Sequence, residues 1–203
     1  MNRNLPQLLV AGAFVSCILA SCHNPDQNWD SKSSADTLNN MKDSVADPNK
    51  SITKDLVMTV SKDDARFAVA AAAGGLAEVE LGRIARYKGA SVQVKAFGTM
   101  MVSDHSKAGN ELKALAKSKG ISLPATLDHG EQQIKDDLSG KSGADFDKAY
   151  IKNMIGDHQK DIKDFQEAIG TLQDADLKAF AEKTLPILKM HLAAVQKIND
   201  QLQ

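Results

Sequence analysis

Four ionisable residues interrupt otherwise apolar stripes: Glu78, His105, His158 and His191. A buried ionisable group is costly unless it is paired or ligated, and neutral imidazole is the commonest metal ligand. One glutamate and three imidazoles brought to the same depth would suit one transition metal ion. Zn, Cu, Fe and Mn all fit such a set, and ligand type alone does not choose among them. The metal-free alternative is a buried network in which carboxylates accept hydrogen bonds from imidazoles and fix helix register.

A local signature repeats around two of the histidines. Met101-Val102-Ser103-Asp104-His105 mirrors Met154-Ile155-Gly156-Asp157-His158. In both, the methionine precedes the histidine by one turn on the same face, and the aspartate is its chain neighbour. Asp104 and Asp157 would either orient imidazoles as acceptors or ligate directly. Met101 and Met154 are either core filling or soft additional ligands that would favour copper.

The elements that must position these residues are helices. Ser61, with Asp64 three residues on, resembles a capping box. The stripe that follows is Phe67, Ala71, Gly74, Glu78, Leu81 and Ala85. A second stripe, over about 91–119, runs Val94, Phe97, Met101, His105, Ala108, Leu112, Leu115, and Gly120 is its stop signal. A third, from about Ala144, carries Ile151, Ile155, His158, Ile162 and Phe165; a fourth, from about Asp174, carries Leu177, Phe180, Ile187, His191 and Ala194. Four long amphipathic helices without strand-like alternation predict an all-α, antiparallel four-helix bundle over 61–203.

Connection lengths add topology. The turns at Gly89-Ala90 and at Gln173 are short, so helices one and two, and three and four, are antiparallel neighbours. Residues 120–143 contain Pro124 and a predicted short extra helix near 131–138. That length can cross a bundle about 42 Å long, so a ferritin-like path with one long crossover fits, and an up-down path remains open. Glu78 lies 12 residues before Ala90 and His105 lies 15 after it, a height difference of roughly 5 Å. Pro186 predicts a kink, or a break, one turn before His191. Gly74 and Gly156 would permit close packing or leave room for a ligand. His129, His23 and Glu80 lie off the stripes and are expected to face solvent.

Upstream, Arg3 and an apolar run from Leu5 to Ala20 have the layout of a secretory signal. Leu19-Ala20-Ser21-Cys22 resembles a bacterial lipobox, which predicts a signal peptide over 1–21 and lipidation of Cys22; a cut before Cys17 is the weaker rival. Two or three acyl chains would anchor the protein stably to a membrane. Residues 22–60 are rich in Asn, Asp, Ser and Lys and read as a flexible tether, with Trp29 its lone aromatic. The expected location is the cell envelope, lipid-anchored at the outer membrane and facing the periplasm.

Composition narrows the function classes. Net charge is -1 and aromatics make up 4%, so neither a basic footprint for nucleic acid nor stacking platforms are present. Both cysteines lie in the first 22 residues, which leaves the helices without disulfides or thiolate ligands. Ser-His-Asp spacing, phosphate-cradling glycine loops and nucleotide fingerprints are missing too.

At Phe67 through Glu78, the two Met-x-x-Asp-His motifs and Leu185-Pro186 leading to His191, the chain resembles the bacterial domain of unknown function 4142 family, grouped with ferritin-like folds and predicted outer membrane proteins. The resemblance covers about 61–203 and implies an extracytoplasmic ferritin-like bundle without an established activity. The chain departs from the di-iron pattern, which needs Glu-x-x-His on two helices: Val102 and Leu188 stand three before His105 and His191. Three functions follow from these readings: a metal-binding module, a metal-dependent oxidase or peroxide scavenger, and a metal-free structural or stress-related envelope protein.

Overall fold

Ser61 opens the first long helix by accepting a hydrogen bond from the Asp64 amide at 3.1 Å. In the computed structural model, which describes residues 31–44 and 58–202, six helices follow one another: α1 (Ser31–Ser44), α2 (Lys62–Lys88), α3 (Val92–Ser118), α4 (His129–Ser139), α5 (Gly143–Thr171) and α6 (Ala175–Gln201). There is no strand among the described residues. The expected signal peptide, Cys17, Cys22, His23 and Trp29 lie outside them.

Side-chain caps explain the starts. Ser91 accepts from Val94, Asp128 from Glu131 and Asp174 from Leu177, each meeting one of the amides that a helix N-terminus leaves unpaired. Gly120, at φ 70°, turns the chain after α3, where the left-handed conformation suits glycine. Pro186 does not break the helix: α6 runs through it to Gln201. Pro186 and Glu182 both face solvent, so water can meet the carbonyl that the proline leaves without a donor.

α2 packs along α3, and α5 along α6; α2 also contacts α5, and α3 contacts α6. Two buried aspartates lock the hairpins together. Asp64, at the start of α2, accepts from the Gln173 and Asp174 amides in the α5–α6 turn. Asp147, at the start of α5, accepts from Ala90 and Ser91 in the α2–α3 turn. These contacts put the start of α5 beside the start of α3, and a backbone bridge between Gly89 and Gly143 agrees. The segment 119–142 therefore returns along the helices, with α4 on the way. α4 is pinned to α2 by Lys135, whose Nζ lies 2.8 Å from Glu80. Glu80, expected to be solvated, is thus half-buried and paired, while His129 is exposed.

The expectation of a flexible tether over 22–60 needs correction at 31–44. α1 docks there: Asn39 Nδ2 donates to the Ser122 carbonyl at 3.0 Å, and its Oδ1 accepts from the Ser122 amide at 2.7 Å. Lys42 donates to the Gly120 carbonyl and to Ser122 Oγ. Ala35 is buried, but Leu38 and Met41 are exposed. The docking is mainly polar, so apolar periodicity could not announce it.

The core is divided. One apolar cluster contains Val69, Leu112, Phe165, Phe180 and Leu188. The other contains Leu81, Phe97, Met101, Tyr150, Met154 and Val195. Between the two, on all four long helices, lie the residues at 78, 105, 158 and 191.

Candidate metal centre

Glu78 comes from α2, His105 from α3, His158 from α5 and His191 from α6, and all four are buried, at 2%, 8%, 0% and 0% exposure. Ring centroids are 5.8 Å apart for His105 and His158, 5.2 Å for His105 and His191, and 5.3 Å for His158 and His191. One nitrogen from each ring lies within 4.8 Å of the others. Nitrogens bound tetrahedrally to one ion at about 2.0–2.1 Å are about 3.4 Å apart, so bringing the rings together by up to about 1.4 Å would supply three of the ion's four positions.

Hydrogen bonds leave one nitrogen free on two of the three rings. His158 Nδ1 donates to the Met154 carbonyl at 2.9 Å, which leaves Nε2 with a lone pair. His191 Nε2 donates to Asp104 Oδ2 at 3.0 Å, which leaves Nδ1. His105 Nδ1 lies 2.8 Å from Glu78 Oε2 but out of line for a hydrogen bond, and its Nε2 has no partner. These three remaining nitrogens, His105 Nε2, His158 Nε2 and His191 Nδ1, are buried without a hydrogen-bond partner. Buried polar atoms are normally satisfied, and three orphaned lone-pair donors in one layer form a donor set that a cation fits.

Glu78 stands on the other edge of two rings. Besides His105, its Oε1 lies 3.3 Å from His158 Nδ1. Proximity does not give aligned hydrogen bonds, for neither oxygen has a donor in line. The carboxylate therefore stands behind the imidazoles, outside the three-histidine group, with its charge directed at their Nδ1 edges.

Burial sets the protonation states. It holds His105 down to about 4, against the opposing pull of Asp161 and Asp104. It also lowers His158, opposed by Glu78, and His191, opposed by its bond to Asp104. Neutral rings keep their lone pairs available at pH 7. Glu78 is pushed up to about 7 by burial, with His158 pulling it down.

A family model described as a domain of unknown function, DUF4142, matches residues 53–198. The chain belongs to the DUF4142 family. The match spans α2 to α6 and so includes every residue of the buried polar layer. No curated protein and no solved structure matches the chain.

Within this DUF4142 domain the two repeated motifs diverge. Asp104 crosses to His191 on another helix, whereas Asp157 accepts from Asn153 at 2.6 Å and meets no histidine. Met101 and Met154 are fully buried in the apolar cluster below the layer. Gly156 is exposed with open space around it, so it neither admits a helix nor leaves room for a ligand at the centre.

Two residues at or near the layer, Asp161 and Tyr150, escaped the sequence reading. Asp161, one turn after His158, lines a cavity of about 30 Å³ beside His105 and Glu78. Tyr150 lies two turns before His158, fully buried, with its hydroxyl unpartnered. Phe97 packs edge-on against Tyr150 and tilts against His158. The steps 150, 154, 158 and 161 were a helical signal for two of these residues, but hydrophobic patterning hid their polar atoms.

Proposed function

We propose that this protein is a lipid-anchored envelope protein whose ferritin-like four-helix bundle, with α4 as the extra helix in its crossover, binds one transition metal ion. His105 Nε2, His158 Nε2 and His191 Nδ1 are the proposed ligands. Asp104 holds the His191 ring by a hydrogen bond, and Glu78, close to the Nδ1 atoms of His105 and His158, neutralises part of the ion's charge. The carrying observation is the set of three buried, partnerless ring nitrogens on three helices. A metal-free network is the weaker reading, because such a network would pair those atoms with one another or with the carboxylates.

The bundle assignment is supported by the paired hairpins and the return path of 119–142; the anchor is supported by the lipobox-like Leu19-Ala20-Ser21-Cys22. Among the described residues no helix is long and apolar enough to cross a membrane, which is compatible with attachment through Cys22. The expected ion is Zn, Cu, Fe or Mn; the all-nitrogen set favours the borderline divalent ions over Mg or Ca.

One observation favours a second, enzymatic reading at the same centre. A groove of about 610 Å³ between α2 and α3 reaches His105, the one ligand with measurable exposure, and three protein ligands leave a coordination position for water or substrate. Elemental analysis of the full chain purified from its native envelope tests the shared premise. About one equivalent of metal per chain, lost in His105→Ala, supports it; metal-free protein that also fails to bind added Zn or Cu removes it.

A further inference from the structure

Two openings lead toward the histidines, and they differ in charge. The α2–α3 groove has largely apolar walls, and Lys113 and Lys117 line it. On the opposite side of α2, a pocket of about 140 Å³ lies against α4 and α5. Five carboxyl groups line it: Glu78, Asp128, Glu131, Asp157 and Asp161. Two lysines line it too, Lys32 and Lys160, of which Lys160 is engaged with Asp164 at 2.7 Å.

This pocket adjoins the polar layer. Glu78 and Asp161 line both it and the small cavity that touches His105. Glu78 is 2% exposed, and neither of its oxygens has an aligned donor. The wall contributed by α2 is made of Ala70, Ala73, Gly74 and Ala77, residues too small to fill the space in front of the acids. At Gly74 a Cβ would stand 3.7 Å from Asp161 Oδ2, so a longer side chain would meet that carboxylate.

We infer that divalent transition-metal cations reach the histidine centre through this acidic pocket, passing from the Asp157 and Asp161 carboxylates to Glu78 and then to the imidazoles. The inference rests on the histidine-centre reading above. A pocket of this volume admits several waters, each taking about 30 Å³, so an ion can enter hydrated and exchange water for carboxylate oxygen. A cleft in which acidic groups outnumber basic ones, here five to two, focuses the field for cations and raises association rates, by about 10–10³ in strongly charged clefts. The other opening offers an approaching cation two lysines and no carboxylate; Ser106 and Asn110 are its neutral oxygen-bearing side chains.

Stopped-flow loading of the metal-free full chain with Co²⁺, followed by its visible absorbance, tests the inference. The triple variant Asp128→Asn/Glu131→Gln/Asp157→Asn is expected to load about tenfold more slowly at low salt, with a weakened salt dependence. Its final absorbance should still report one equivalent, because the ligands are intact. Lys113→Ala/Lys117→Ala should load within about twofold of the parent. Loading of the triple variant at the parent rate overturns the acidic route, as does a rate governed by the two lysines. A parent protein that binds no Co²⁺ at equilibrium instead sinks the histidine centre, and the route with it.

Discussion

Asp104 is the chain neighbour of His105, yet its carboxylate holds His191: Oδ2 lies 3.0 Å from Nε2 of that ring, across from α3 to α6. The bond fixes the tautomer of a fully buried histidine and directs its other nitrogen toward the centre. A carboxylate behind a ligating imidazole also raises its basicity, and loss of such a partner typically costs 10–100-fold in affinity.

Asp104→Asn is therefore expected to weaken metal binding about 10–100-fold while leaving the fold intact, since the Asp104 side chain is 31% exposed. Competition titration against a chelator of known affinity measures the loss. Unchanged affinity would show that the Asp104 bond is incidental to the centre.

Asp64 and Asp147 clamp opposite ends of the helices, each accepting two turn amides from the other hairpin. Replacing either by Ala removes two part-buried hydrogen bonds to turn amides, with an expected loss of about 1–3 kcal/mol. Because the sites share no partner and stand far apart, the double variant should lose the sum within about 0.5 kcal/mol. Urea denaturation of the two single variants and the double variant tests both statements.

Glycines distinguish packing from mere flexibility. A Cβ on Gly98 would fall 2.7 Å from the Gly82 carbonyl oxygen, and one on Gly82 would fall 2.9 Å from that of Gly98. Gly98→Ala should thus cost about 1–3 kcal/mol by forcing α2 and α3 apart. Gly156→Ala, in open space on an exposed helix face, should stabilise by about 0.5–1 kcal/mol. Thermal melts of the two variants should move in opposite directions.

The pH dependence has a definite sign at Asp161. Burial, with the Glu78 charge adding to it, pushes this carboxyl from 3.8 up to about 7. Between those values the folded chain keeps a proton that the unfolded chain releases, so the stability contributed by Asp161 is whole below 3.8. It declines as pH rises and stays lost above about 7. Asp161→Asn removes the cost of ionisation: the metal-free variant should gain more in denaturation midpoint at pH 8 than at pH 5. An equal gain at both pH values would contradict this assignment.

The four residues of the layer were legible because each is a polar interruption of an apolar stripe, and helical periodicity fixes depth along the axis. α4 was legible in the segment 120–143 after Pro124, and the connection length admitted the long return without choosing it over an up-down path. Periodicity carries no information about side-chain direction across helices, so the division of labour between Glu78 and the imidazoles was not accessible. Nor was the exchange by which Asp104 serves His191. α1 escaped because polar bonds to Gly120 and Ser122 dock it, and Gly82 and Gly98 escaped because close approach depends on which faces of two helices meet.

X-ray absorption at the metal edge of the loaded full chain tests the central claim most directly. One ion per chain with about three imidazole nitrogens at about 2.0–2.1 Å, lost together with binding when His158 is replaced by Ala, is the predicted result. Undiminished binding after His105, His158 and His191 are all replaced, or a first shell without imidazole, would contradict it.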